Sequence, residues 1–183
     1  MRVLGVDPGS RVCGYGVLES RNGELIHIES GCITAPSSFS LPLRLKNIFE
    51  GLREVIERSS PDAMSIEDIF FAKNSKSALK LGEARGVALL AATISGIPVH
   101  EYAPTEVKLA LTGQGRAKKL EVQKMISLIL GISEWSKEDA SDAVAIAICH
   151  INSSQINERL GREVIRHRRR RRRWKKYDIS SPR

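Results

Sequence analysis

Four acidic residues of this chain are of a type and spacing that could do chemistry. Asp7 ends the first apolar run, and Glu67 ends another such run further along. Asp139 and Asp142 are three residues apart, which places them on one face of a helix. Carboxylates that gather without compensation raise one another's pKa, so a site that they share requires a cation.

Oxygen ligands with no Cys or His among them favour Mg²⁺, with Mn²⁺ as a possible substitute. Two such ions about 4 Å apart would activate a water and stabilise the leaving oxygen in phosphodiester hydrolysis. Simpler interpretations stay open from the residues alone. Asp7 begins an Asp-Pro-Gly turn, Glu67 is a solvated charge at a strand end, and the two Asp residues belong to a helix start capped by Ser136.

Periodicity predicts the elements that would position these acids. Strands are predicted at 3–6, 12–18, 25–32, 63–67 and 98–102, and helices at 41–56, 77–94, 104–111, 117–130 and 137–151. The Asn22-Gly23 pair indicates a hairpin. Three consecutive strands followed by strands that alternate with helices predict an α/β fold. Its mixed five-stranded sheet has three antiparallel strands and then parallel ones, with helices on its faces.

The predicted fold brings the acids to one edge of the sheet. Proteins built on such sheets bind ligands beyond the ends of the strands, where Asp7 and Glu67 are expected. The last helix carries an apolar stripe that should pack it firmly on the core, and Gly14 and Gly16 indicate where an element approaches the sheet closely. Its two Asp residues would then be held near the same edge.

Composition bounds the class of protein. The 183 residues, 42% of them hydrophobic, are enough for one domain with a real core. The longest apolar stretch, 87–99, is interrupted by polar residues, Gly and Pro, and is too short to span a bilayer. Three widely spaced cysteines indicate free thiols in a reducing compartment, which favours the cytoplasm.

The basic charge is a property of the C-terminal tail. From residue 155 onward there are twelve Lys/Arg and three Asp/Glu, including the unbroken run Arg168–Arg173, whereas residues 1–154 are close to neutral. We expect a domain at 1–154 and a disordered basic tail at 155–183. The tail either solubilises the protein or adds phosphate contacts that weaken with salt, a hypothesis that deleting residues 160–183 would test.

Five sequence segments, taken together, are highly specific for one protein family. They are GVDPGSRVCGYGV, SIEDIFFAKNSKSALKLGEARG, EYAPTEVK, GQGRAKK and DASDAVAIAICH. Through them, residues 1 to about 152 resemble the RuvC family of bacterial Holliday junction resolvases. No motif of the family is found in the tail.

The resemblance implies a ribonuclease H-like fold and a homodimer. It also implies paired symmetric cuts across a four-way junction with Mg²⁺, in recombination and DNA repair. It places the family's four catalytic, metal-binding acids on Asp7, Glu67, Asp139 and Asp142. The branch-migration complex RuvA–RuvB is the partner that accompanies this family.

The resemblance also implies DNA contacts. The glycine loop that leads into a helix at 113–119 carries Arg116, Lys118 and Lys119, and such a helix start can cradle phosphate. Lys119 matches the family's active-site lysine, with Lys118 one position away as the alternative, and Lys108 matches a second basic residue. Phe70 matches the residue that stacks on an unpaired base at the junction centre.

The helix predicted at 77–94 is rich in Ala and Gly, which would let another helix approach closely. A two-fold dimer would set two identical sites opposite each other, as symmetric cuts require. Packing within one chain would explain the same small residues.

Three other functions compete with a junction nuclease. The same fold could cut RNA–DNA hybrids or non-junction DNA, although the glycine loop and Phe70 argue against that reading. A sugar-kinase-like or actin-like ATPase would need two lobes, for which 183 residues are too few. A DNA-binding protein without activity would not need all four acids.

Overall fold

The computed structural model describes residues 1–68, 75–132 and 138–159, with the backbone alone at 75–77, 138–139 and 159. The elements are β1 (Arg2–Asp7), β2 (Val12–Arg21), β3 (Glu24–Thr34), α1 (Leu41–Ser59), β4 (Ala63–Glu67), α2 (Ser75–Ile94), β5 (Val99–Tyr102), α3 (Pro104–Thr112), α4 (Lys119–Leu130) and α5 (Glu138–Arg159). All ten predicted elements are confirmed. Ser136, Phe70 and the tail from 160 onward lie outside the described residues.

Several helix ends differ from the prediction, and the structure gives a reason for two of the differences. Helix α4 begins at Lys119 because the Glu121 carboxylate accepts a hydrogen bond from the Lys118 backbone N–H over 2.6 Å, which closes the helix start. Helix α5 continues eight residues past the predicted end at 151 and past the expected domain limit at 154. Its last turns are polar, which hides them from a hydrophobic pattern, yet Gln155 Nε2 donates to Ser20 Oγ over 3.0 Å and ties them to β2.

The sheet has the order β3-β2-β1-β4-β5. Strands β1, β2 and β3 pair antiparallel, while β4 pairs parallel with β1 and with β5. The β2–β3 turn places both Asn22 and Gly23 at positive φ, as a tight hairpin turn requires. The predicted mixed sheet is confirmed, and its two parallel pairings bring the C-terminal ends of β1, β4 and β5 to one edge.

Each face of the sheet is covered by its own core. Leu4 and Val6 of β1 point to the side of α1 and α2, while Val3 points to the side of α3, α4 and α5. Side chains alternate along a strand, so Gly5 and Asp7 share the α5 side with Val3. That alternation directs Asp7 toward α5.

Helix α5 lies directly on the backbone of β1 and β2. A Cβ added to Gly5 would come within 2.0 Å of the Ala143 carbonyl oxygen, and one added to Gly16 within 2.4 Å of Val144 Cγ2. The close approach predicted at Gly16 is confirmed, and Gly5 is a second such site that the pattern did not reveal. These two glycines set how near the acids of α5 come to the sheet.

The structure also tests the predictions that the cysteines form no disulfides and that no segment spans a membrane. The three cysteines form no disulfide with one another, as predicted, with Cys13 and Cys149 buried and Cys32 half-buried. Within the described residues, no helix has the length and apolar character needed to cross a membrane.

A buried histidine makes stability depend on pH. His150 is 3% exposed, its Nδ1 lies 2.7 Å from the Tyr102 hydroxyl, and its ring stacks on His100. Burial, assisted by the charge of His100, lowers the pKa of His150 to about 4 from 6.5. The unfolded chain therefore takes up this proton first, so stability that is present above pH 6.5 is lost as the pH falls toward 4.

For a pKa shift of this size, we expect the loss in the free energy of unfolding to reach about 3 kcal/mol. His150→Gln keeps an oxygen that can accept from Tyr102 but does not titrate, so its free energy of unfolding should fall less steeply over that range. Urea unfolding at several pH values between 7 and 4 measures the slope. An equal slope in the variant and the natural protein would contradict the prediction.

Candidate active site

Acidic side chains from three separate elements line one cavity of about 280 Å³. Asp7 ends β1, Glu67 ends β4, and Asp142 lies near the N-terminal end of α5. Because Val6 pairs with Ile66 in the parallel register, the two strand-end acids are neighbours across the sheet edge. The structure therefore brings together three of the four predicted acids in what we call the carboxylate cavity.

The fourth acid, Asp139, lies in α5 one turn before Asp142, and its side chain is outside the described part of the structure. Its position in the helix places it on the same face as Asp142. Its role in the cavity stays a prediction.

The surroundings of Glu67 in the carboxylate cavity disfavour the ionised form of its side chain. The pKa of Glu67 is raised, first by burial and then by the nearby charge of Asp142, and Lys108 opposes the shift. Lys119 Nζ lies 2.8 Å from Asp142 Oδ2, in an ion pair whose side chains are 48% and 35% exposed. Two lysines thus offset part of the acidic charge.

The donor set fits a hard divalent cation. It consists of carboxylate oxygens, and the unfavourable charge on Glu67 is what a cation would relieve. Among the described residues, no three His, Cys, Asp or Glu side chains are already close enough to form a ready metal cluster.

Of the two candidate active-site lysines, only Lys119 lines the carboxylate cavity. Lys119 and Lys108 both line it, whereas Lys118 stands just before α4 with an exposed side chain and is not among the lining residues. Arg116 is exposed in the loop between α3 and α4, also outside the cavity lining. Phe70 lies outside the described residues.

Sequence reasoning missed Arg85. This residue of α2 donates a hydrogen bond from Nε to the main-chain oxygen of Glu67 over 3.3 Å. In the sequence, the one feature that could have indicated a role for Arg85 is that it is a single positive charge within the Ala-rich part of that helix.

Known proteins match the chain over most of its length. The family model described as crossover junction endodeoxyribonuclease RuvC matches residues 3–150. A crossover junction endodeoxyribonuclease RuvC of Trichlorobacter lovleyi is 50% identical over 169 residues, which cover 92% of this chain and 95% of the relative.

Solved structures agree. Thermus thermophilus RuvC in complex with a Holliday junction substrate superposes with a TM-score of 0.82 at 33% identity, over 86% of this chain and 96% of that one. The yeast mitochondrial Holliday junction resolvase, at 14% identity and a TM-score of 0.59 over 82% of this chain and 78% of that one, shares the fold alone. The predicted ribonuclease H-like fold is confirmed. With the family model, the curated relatives and the solved structures in agreement, the chain belongs to the RuvC family of crossover junction endodeoxyribonucleases.

Proposed function

We propose that the carboxylate cavity is the site where this nuclease hydrolyses phosphodiester bonds of a four-way junction by paired symmetric cuts. One observation carries the proposal: acids from three elements face one cavity together with two lysines. As a RuvC-family enzyme the protein is an endodeoxyribonuclease, a hydrolase of recombination and DNA repair. Nucleases of this family depend on a divalent metal in general.

We assign the metal as Mg²⁺, two ions per site, with Mn²⁺ as a substitute. Asp7, Glu67, Asp139 and Asp142 would hold it through their carboxylate oxygens. When bound, the metal supplies a nucleophilic water of lowered pKa and stabilises charge on the phosphate. The chain's own acids would orient that site from the ends of β1 and β4 and from the start of α5.

Lys108 and Lys119 supply positive charge at the cavity. Both lie beside the acids, so a phosphate drawn into the cavity would meet a cation on the α3 side and another on the α4 side. Arg116 and Lys118, exposed near the start of α4, would contact the DNA backbone outside the cavity. By resemblance, Phe70 would stack on an unpaired base.

Lys119, rather than Lys118, should be the active-site lysine. Lys119→Met should lower the cleavage rate about 10- to 100-fold, since it removes a charge aimed at the reacting phosphate. Lys118→Met, the matched neighbour, should change it by about threefold or less, because a backbone contact contributes mainly to binding. Single-turnover cleavage of a junction measures both rates, and equal losses in the two variants would contradict this assignment.

Helix α2 supports the proposed homodimer. Four of its alanines, Ala84, Ala88, Ala91 and Ala92, are buried within the chain, while Gly82 and Gly86 face open space. An exposed face remains, with apolar and small residues three to four positions apart. It comprises Leu79, Gly82, Gly86 and Leu90. A second copy of α2 could approach this face closely, as an isologous dimer requires.

Leu90→Glu should convert the dimer to a monomer, because it replaces an exposed apolar side chain of this face by a charge. Leu128→Glu on α4, where the natural residue is also exposed, should leave the mass unchanged. Light scattering coupled to size exclusion reports the mass. A natural protein that is monomeric at assay concentration would count against the dimer.

The function is tested by offering three substrates with and without Mg²⁺. They are a four-way junction, a linear duplex of the same sequence and an RNA–DNA hybrid. We expect cleavage of the junction only, and only with metal, at symmetric positions. Equal cutting of the duplex or of the hybrid would refute junction selectivity, and ATP hydrolysis would favour another class of enzyme.

Docking of RuvA–RuvB and residence in the cytoplasm are proposed from the resemblance. Co-sedimentation of the protein with a RuvA–RuvB–junction complex would test the first proposal. Fractionation of cells that produce the full chain would test the second.

A further inference from the structure

Arg85 contacts the backbone of Glu67 from the face of the sheet opposite α5. It belongs to α2, which packs on the face of the sheet opposite α5, with Ala84 and Ala88 fully buried against that face. The Arg85 side chain is 18% exposed, and its Nε donates to the Glu67 carbonyl oxygen over 3.3 Å. The guanidinium therefore contacts the backbone of a proposed metal ligand without entering the carboxylate cavity.

The same guanidinium reaches the neighbouring strand. Arg85 Nη2 is buried and lies 2.7 Å from Glu101 Oε2, an ion pair outside the angles of a hydrogen bond. It is also 3.8 Å from Asp68 Oδ1. Glu101 pairs with Ile66 across the β4–β5 register, one residue before Glu67 pairs with Tyr102. One cation thus ties together the ends of β4 and β5.

Two carboxylates surround this cation, and both are partly exposed. The Glu101 and Asp68 side chains are 44% and 38% exposed, whereas Arg85 is largely enclosed. The planar guanidinium can address a main-chain oxygen and a carboxylate at the same time, which a lysine ammonium cannot do with the same geometry. Asp68 is also the last described residue before the 69–74 segment that carries Phe70.

We propose that Arg85 is a positioning residue for the nuclease reaction: its guanidinium holds the end of β4 so that the Glu67 carboxylate keeps its place beside Asp7 and Asp142. This inference rests on the proposed function, since it takes Glu67 as part of the active site. Groups that orient metal ligands from outside typically affect metal affinity or activity about 10- to 100-fold. A displacement of about 1 Å is enough for a loss of that size.

Arg85→Met and Arg85→Lys in the full chain test the proposal. Arg85→Met should lower the single-turnover cleavage rate at least about 10-fold and raise the Mg²⁺ concentration for half-maximal rate. Mn²⁺ binding without DNA, followed by electron paramagnetic resonance, should weaken in parallel. Affinity for the junction in Ca²⁺ should stay within about threefold, because Arg85 is not among the residues that line the carboxylate cavity. Arg85→Lys should restore part of the rate.

Arg53→Met is the matched control, because Arg53 pairs with Glu57 one turn away on α1 and lies outside the site. Unchanged cleavage and metal binding in Arg85→Met would overturn the inference, and so would a loss in melting temperature with normal rate per folded molecule. If Arg85→Met does not fold, the same readouts on Arg85→Lys decide. Glu67→Gln separates the two levels: its full activity would refute the proposed site itself, whereas its inactivity beside a normal Arg85→Met would refute only the role of Arg85.

Discussion

Asp7→Asn is expected to lower junction cleavage at least about 1,000-fold while junction binding is retained, because one neutral amide replaces a charged ligand at the centre of the metal site. Asp7 lines the same cavity as Glu67 and Asp142 from the end of a central strand, where pairing with Gly14 of β2 fixes its backbone. Without metal, binding should become tighter, since a negative charge that faces phosphate is removed. Single-turnover cleavage in Mg²⁺ and binding in its absence measure the two effects.

Asp62→Asn provides a matched control at the other end of the sheet. Asp62 stands just before β4, and its carboxylate accepts a hydrogen bond from the Arg2 backbone N–H over 2.7 Å. Because it is far from the strand ends that carry the site, its cleavage rate should match that of the natural protein. Cleavage by Asp7→Asn at more than about a tenth of the natural rate would contradict a ligand role for Asp7.

The second large effect concerns the contact between α5 and the sheet. Gly5→Ala would place a Cβ 2.0 Å from the Ala143 carbonyl oxygen and 2.9 Å from the Ala147 nitrogen, both of them backbone atoms that cannot turn aside. The helix must move outward, at a cost of about 3 kcal/mol in the free energy of unfolding. The shift would also carry Asp142 away from Glu67, so cleavage should fall with stability.

Gly51→Ala is the graded control for this substitution. Its Cβ would meet only side-chain atoms of Ile33, at 2.8 Å and beyond, and that side chain can move. Its position inside α1 also favours Ala over Gly, so the net loss should be about 1 kcal/mol or less. Urea unfolding of both variants gives the comparison. A Gly5→Ala protein as stable as Gly51→Ala would show that α5 does not rest on the β1 backbone as described.

Local patterns were sufficient for the elements and for the acids. The period of apolar residues and the turn pairs identify all five strands and five helices, because each depends on neighbours a few positions away. Acids that end strands were expected at one sheet edge, and Asp7 and Glu67 do meet there. The specific motifs also placed the chain in its family before any coordinates.

Sequence alone therefore determined the class of fold, the family and the acids that could bind metal. Only the tertiary structure decided which lysine reaches Asp142, why Gly5 must lack a side chain, and that Arg85 holds the Glu67 backbone from the far face. The physical reason is the separation in sequence between the residues that interact. A helix or strand is encoded by spacing within one segment, whereas each of these contacts joins segments at least 18 positions apart, and its geometry is set by how the layers pack.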